Sequence, residues 1–417
     1  MLKLNHEKEL NELTKEVEQQ IREHHQEIEE IALVNQAKVM AAFRNHQVAD
    51  FHFTPSTGYG YDDVGRDTLE SIYAEVFGGE SALVRPQIIS GTHAIATALF
   101  GVLRPGDELL YITGKPYDTL EEIVGIRGNG NGSLKEFHIG YEAVSLLGSG
   151  WIDEDAIRSK INENTKMIGI QRSKGYGDRP SYTIGQIEEM ISFVRSIKED
   201  VVVFVDNCYG EFVETREPCD VGADLMAGSL IKNPGGGIVK TGGYLVGRKE
   251  LVELSSYRLA APGIGAEGGA SLYSLLEMYQ GFFLAPHVVS QALKGAVFTA
   301  AILEKIGMNT SPKAEERRTD LIQSVHFPTA EKMIAFCQSI QTASPVNAHV
   351  SPQPSQMPGY EDPVIMAAGT FIQGASIELT ADGPIRPPYV AYVQGGLTYE
   401  HVKIAVLQSI DSIYDRK

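Results

Sequence analysis

The run VVVFVDNC places four valines and a phenylalanine ahead of Asp206, the pattern of a strand buried on both faces that ends in a carboxylate. A carboxylate in that place needs a cationic partner, because an unpaired buried charge is costly and shifts its pKa. Twenty-six residues on stands Lys232, between an apolar stretch and the turn Pro234-Gly235-Gly236-Gly237, whose glycines let the backbone approach a ligand closely. Partial desolvation is expected to lower the pKa of such an amine and make it a nucleophile for carbonyls. Ser229, three residues earlier, offers a hydroxyl on the same side. Upstream, Ile88-Ile89-Ser90-Gly91-Thr92-His93 runs from a strand into the first turn of a helix, where unpaired N–H groups and the helix dipole favour an anion such as phosphate. A plain Gly-Thr cap would have the same sequence. Tyr117, in a Gly-Lys-Pro-Tyr-Asp loop, could stack on a planar ligand or pack on the protein.

An anion pocket, an aromatic ring, a strand-end Asp and a Ser-x-x-Lys are together the parts needed to hold pyridoxal 5'-phosphate. Its aldehyde needs a lysine for the Schiff base, its pyridinium nitrogen a carboxylate, and its phosphate a helix N-terminus with hydroxyls. In the order Gly91-Thr92, Tyr117, Asp206 and Ser229-Leu230-Ile231-Lys232, the chain resembles the fold type I pyridoxal-phosphate enzymes. The similarity is greatest to the cysteine and methionine metabolism family of cystathionine lyases and methionine gamma-lyase, and it runs from about Phe51 to the C-terminus. The family's Tyr-x-Arg is absent, although Arg66-Asp67-Thr68-Leu69-Glu70 matches its Arg-Asp-x-Leu-Glu. Ile231 stands where the family has Thr, and Thr92 where it has Met. The chain is thereby identified as a member of a divergent branch labelled aluminium resistance protein or methionine gamma-lyase-like.

The resemblance implies an α/β fold of the pyridoxal-phosphate-dependent transferase type, with a mainly parallel seven-stranded sheet in the large domain and a small α+β C-terminal domain. It also implies a homodimer or homotetramer, in which Tyr59, Tyr61 and Arg66 reach the cofactor of a neighbouring subunit. The activity implied is a lyase that loses a thiol from Cβ or Cγ of a sulfur-containing amino acid. Lys232 would carry the cofactor and remove the α-proton, Asp206 would keep the pyridinium protonated, and Tyr117 would act beside the ring. An aminotransferase, a non-catalytic pyridoxal-phosphate-binding protein and a phosphate-site enzyme without pyridoxal remain open. The substrate's α-carboxylate calls for a bidentate arginine. Arg386, in Gly-Pro-Ile-Arg-Pro-Pro-Tyr, is the first choice; Arg172, beside Gln171 and Ser173 at a strand end, is the second. Lys174 and Lys240 are rival Schiff-base lysines without the Ser229 spacing.

These residues must be positioned by three regions. Residues 1–50 read as a helical arm with an apolar stripe at Leu10, Leu13, Val17, Ile21, Ile28, Ile31 and Val34, lying on the main body or on a second subunit, with His24-His25 on its wet face. Residues 51–285 alternate short apolar runs with helical periods, a βαβ pattern. Strands are expected at 82–88, 108–112, 134–138, 167–171, 201–205 and 243–246, with helices at 92–103, 118–124 and 184–197. Ligands of such sheets bind at the carboxyl ends of the strands. Residues 286–417 read as a linking helix to about Ile306 and then strands at 320–325, 364–371 and 375–379 with helices at 330–339 and 399–413; the proline-rich 351–363 reads as a surface loop.

The 417 residues carry a formal charge of −18, which disfavours a nonspecific hold on nucleic acid or an anionic membrane. Three cysteines without a CxxC pair argue against a disulfide framework or a cysteine zinc site. With no apolar signal stretch or membrane-length run, the expected setting is the cytoplasm and the expected partner a small amino acid.

Overall fold

The computed structural model describes residues 5–177 and 179–414. The chain opens with α1 (Glu7–Gln20) and α2 (Arg22–Asn45). Leu10, Val17, Ile21, Ile28, Val39 and Ala42 recur on one face and are buried, as a helical period requires of a packed surface. Val34 falls outside the stripe and is exposed with Leu33. The arm lies on its own chain. Lys294 pairs with Glu29, Lys305 with Glu16, and the Asn35 amide donates to the carbonyls of Phe212 and Glu214, both at 3.0 Å. His25 packs edge-on against Tyr399, and burial first of all, with Lys294 nearby, pushes its pKa down to about 4.

The large sheet comprises β1 (Ser81–Arg85), β2 (Glu108–Tyr111), β3 (Gly140–Ala143), β4 (Thr165–Gln171), β5 (Val202–Asp206), β6 (Leu225–Ser229) and β7 (Gly243–Gly247). Its order is β1-β7-β6-β5-β4-β2-β3; β7 is antiparallel to both neighbours and the other pairs are parallel. Helix α3 (Val64–Phe77) precedes β1, helices α4 (Gly91–Val102), α5 (Glu121–Val124), α6 (Glu154–Lys160) and α7 (Ile184–Ile197) connect strands, and α8 (Lys249–Leu259) follows β7. All of β5 is buried, as its valine run demands of a strand covered on both faces. The strand expected at 134–138 is a turn, with His138 at φ +57, and the edge strand is β3 instead. Strand β6 has a Leu-Met-Ala-Gly-Ser sequence with no β-branched residue, so strand propensity does not show it.

Helix α9 (Leu275–Lys305) begins well before Pro286, which it carries in its interior. It joins the second sheet, β8 (Asn309–Ser311), β9 (Gln323–Phe327), β10 (Val364–Ala367), β11 (Thr380–Pro384) and β12 (Tyr389–Gln394), ordered β10-β11-β12-β9-β8 and antiparallel throughout. Helices α10 (Ala330–Thr342) and α11 (Tyr399–Tyr414) complete it. The strand expected at 375–379 lies just ahead of β11, whose Asp, Gly and Pro disguise it. Among the described residues no helix is long and apolar enough to cross a membrane.

Candidate active site

Strands β4 and β5 end side by side, with Gln171 opposite Asp206. Both face a cavity of about 260 Å³, which Gly91, Thr92, Tyr117, Ser229 and Lys232 also line. Six of the residues proposed for cofactor contact therefore meet in one place. Asp206 is only 4% exposed. Its Oδ1 accepts from the Cys208 N–H at 3.1 Å, and no cation lies within ion-pair distance of it among the described residues. Burial drives its pKa up, opposed by the Cys208 N–H and by the charge of Lys232.

The Lys232 amine sits 3.9 Å above the Tyr209 ring, a cation–π contact. The expected lowering of its pKa is not found. Burial acts in that direction, but the surrounding Tyr209, Cys208, Asp206 and Glu211 outweigh it and hold the amine above the ordinary lysine value.

Helix α4 starts at the same cavity. Its cap, Ser90, accepts from the His93 N–H at 3.0 Å, while the first-turn N–H groups of Gly91 and Thr92 have no intrahelical partner by construction. A Cβ on Gly91 would come 3.1 Å from the Cys208 Sγ and 3.4 Å from the Ser229 Cβ, so glycine is what lets the helix end seat against β6. Buried Gln171 donates to the Ser173 carbonyl at 3.1 Å, and its Oε1 has no partner among the described residues.

The Tyr117 hydroxyl is 2.6 Å from that of Tyr360, and its ring lies 5.6 Å from Tyr176. Burial, then the proximity of Tyr360, holds its pKa well above the ordinary tyrosine value, so Tyr117 keeps its proton. Tyr176, Tyr209, Tyr360, Tyr392, Cys208, Met357 and Met366 also line the cavity and were not foreseen. Tyr209 could have been, since it follows Asp206 by three residues; the others come from loops and from the small sheet. Asp382 on β11 is fully buried and fixes this wall, accepting from the Tyr176 hydroxyl at 2.6 Å, Thr380 at 2.9 Å and Gln394 at 3.0 Å.

The arginines proposed from sequence lie elsewhere. Arg172 points to the opposite side of the sheet, fully buried, bound to Glu214 at 3.2 Å, Glu217 at 3.5 Å and Asn207 at 2.9 Å. It is a structural ion pair and cannot receive substrate. Arg386 borders a neighbouring cavity rather than this one and is held by Asp362 at 3.1 Å and Asp118 at 3.4 Å. Arg66 is buried, donating to the carbonyls of Gly60 at 2.6 Å and Gly269 at 3.0 Å and pairing with Asp67. It braces its own loop and is not available to a phosphate. Tyr59 and Tyr61 stack on each other at 5.4 Å, 78% and 52% exposed, in a separate surface groove with Arg85 and Gln87. Of the rival lysines, Lys174 contacts the Ser311 hydroxyl at 3.1 Å and exposed Lys240 pairs with Glu277.

Residues 10–414 match the family model described as methionine gamma-lyase. The chain belongs to the methionine gamma-lyase family. It is 70% identical over 415 residues to the YnbB protein of Bacillus subtilis (strain 168), covering 99% of both chains. It is 25% identical over 278 residues to L-methionine gamma-lyase of Pseudomonas putida, 65% of this chain and 60% of that one. Among solved structures, a carbon-sulfur lyase involved in aluminum resistance from Clostridium novyi NT superimposes with a TM-score of 0.93 at 48% identity, covering 98% of this chain and 96% of that one. The pyridoxal-5'-phosphate-dependent protein YhfS from Escherichia coli, 17% identical with a TM-score of 0.61 over 92% of this chain and 97% of that one, shares the fold. This member of the methionine gamma-lyase family is thus a carbon–sulfur lyase on the fold type I architecture.

Proposed function

We propose that this lyase uses pyridoxal 5'-phosphate held by Lys232, Asp206, Ser229 and the start of α4, and cleaves a carbon–sulfur bond in a sulfur-containing amino acid. The observation that carries the reading is a buried carboxylate and a half-buried amine in one cavity, neither with an ion-pair partner among the described residues. Two such groups are costly alone. A ligand with a ring nitrogen for Asp206 and a carbonyl for Lys232 supplies both missing partners. The unpartnered Gln171 oxygen and the α4 N–H groups extend the same match.

When bound, pyridoxal phosphate supplies an aldehyde that links to amines and a pyridinium that takes up electrons from the substrate. The protein's part is positional and protonic. Lys232 would anchor the group and would carry the α-proton. Asp206 holds a proton at the ring nitrogen by a charge-assisted hydrogen bond. Gly91, Thr92 and Ser229 receive the phosphate. Tyr117, which keeps its proton, would lie beside the ring.

The active unit is a homodimer or homotetramer: among the described residues that line the cavity there is no arginine, and the exposed Tyr59–Tyr61 pair is suited to a neighbouring subunit's phosphate. A cytoplasmic setting with no nucleic-acid or membrane partner accords with three free cysteines and the −18 charge. The test is the visible absorption of the purified protein, followed by borohydride reduction and peptide mapping. A reduced adduct on Lys232 with loss of activity is expected. No band after loading with the cofactor, or an adduct on Lys174 or Lys240, overturns the assignment.

A further inference from the structure

Outside the 260 Å³ cavity lies a second space of about 420 Å³, bordered by Lys115, Asp118, Glu121, Arg179 and Glu361. Tyr117, Gln171 and Tyr176 line both. Tyr360 borders only the inner one, and the next residue, Glu361, only the outer. The chain at 360–361 therefore runs along the partition. The Tyr360 hydroxyl meets that of Tyr117 at 2.6 Å, and its ring lies 6.1 Å from Tyr117 and 5.7 Å from Tyr176. Its flanks are pinned to the large domain, because Arg127 donates to the Gly359 carbonyl and Arg386 bridges Asp362 and Asp118.

The two sides differ in chemistry. The inner cavity's charges are Asp206 and Lys232, and Ile322, Met357 and Met366 line it beside Tyr360. The outer space carries both signs. Its Arg179 donates to the carbonyls of Thr113, Ser173 and Lys174 and has no carboxylate within ion-pair distance among the described residues. With Asp206 and Lys232 engaged by the cofactor, a ligand end bearing both an ammonium and a carboxylate would be matched outside and desolvated without partners inside.

We propose that Tyr360 determines specificity by length. By closing the inner cavity against Tyr117, it restricts substrates to amino acids whose side chain beyond the sulfur is short and uncharged, and it excludes those with a second dipolar end. The inference rests on the amino-acid lyase reading above. Two sulfur-free isosteres that cannot undergo elimination separate the cases: L-norleucine, with an apolar tail, and diaminosuberate, with an amino-acid group at each end. Each is titrated calorimetrically into the cofactor-loaded parent, Tyr360→Phe and Tyr360→Ala.

The parent and Tyr360→Phe are expected to prefer norleucine by about tenfold or more. Tyr360→Ala is expected to shift that ratio toward diaminosuberate by about tenfold, about 1.4 kcal/mol, and Arg179→Gln in the same chain to remove the gain. Tyr360→Leu, which also lacks the ring, carries the same expectation should the Ala variant not fold. An unchanged ratio in the ring-less variants, or an equal shift in Tyr360→Phe, overturns the proposal alone. A parent that binds neither isostere overturns the amino-acid reading and the proposal with it.

Discussion

Two sets of buried charges lie back to back at the ends of β4 and β5. On the cavity side, Asp206 and Lys232 each lack an ion-pair partner among the described residues. On the other side, Arg172 is bound by Glu214, Glu217 and Asn207, all buried. Both arrangements carry the desolvation cost of charge in a low-dielectric interior. Only the second is compensated by ion pairs among the described residues. The incomplete set is where a ligand adds most, and the completed set is where the chain secures its own fold.

That contrast is broken most directly at Lys232. Lys232→Ala is expected to lower turnover by at least about 10³-fold and to abolish the cofactor's visible band on lysine. The thermal midpoint of the cofactor-free protein should fall only modestly, because the change removes the contact with Tyr209 and the charge that offsets Asp206 but breaks no ion pair among the described residues. A large loss of stability would show that Lys232 is structural. Arg172→Met should do the reverse. Leaving Glu217 without its cation and Glu214 with Arg317 alone should cost about 3 kcal/mol in a denaturant titration, while activity per folded molecule stays within a few-fold. A folded but inactive Arg172→Met would return that residue to the active site.

Asp206→Asn sharpens the cavity side. It keeps the shape and removes the charge, and loss of a hydrogen bond to a charged group worth about 1.5–3 kcal/mol predicts roughly 10²-fold slower turnover with the cofactor still bound. Near-parental turnover would mean that the ring nitrogen is not held at Asp206.

The same two faces show what could be read from sequence. The valine run fixed Asp206 at a strand's end, and glycine-rich spacing fixed Lys232, Ser229 and Gly91, because these depend on local pattern. Side-chain direction did not follow. Gln171 and Arg172 are adjacent, and in a strand the period of two sends neighbours to opposite faces; the pairing of Gln171 with Asp206 decides which one meets the ligand. Arg386 failed for another reason, since its partners Asp118 and Asp362 are distant in sequence from it and from each other. Tyr360 was hidden in a proline-rich loop that looks like surface, although Arg127 and Arg386 tie its neighbours across to the large domain. The small sheet's contribution depends on β11, whose Asp382 makes sense only with Tyr176 beside it.

Glu211 probes a third way of burying an acid, without an ion-pair partner among the described residues and with the charge of Lys232 only a minor offset. It is fully buried against β6, where a Cβ on Gly228 would come 2.5 Å from its Oε1. Tyr244 donates to Oε1 at 2.7 Å, and Oε2 has no partner among the described residues. Burial outweighs the Tyr244 bond, and with Glu217 adding repulsion the pKa is pushed from 4.5 up to about 8. Between those two values the folded protein holds a proton that the unfolded chain has released, so stability falls as pH rises and levels off above the upper one. That proton contributes a slope of at most about 1.4 kcal/mol per pH unit. Glu211→Gln keeps the Tyr244 bond and removes the titration. Denaturant midpoints taken between about pH 5 and pH 8 should therefore fall less steeply in the variant, and the variant should gain most over the parent at the alkaline end. Parallel profiles would mean that Glu211 is ionised in the folded protein, with Lys232 as its counter-charge, and the lysine's amine would then be tied to both sides of the sheet.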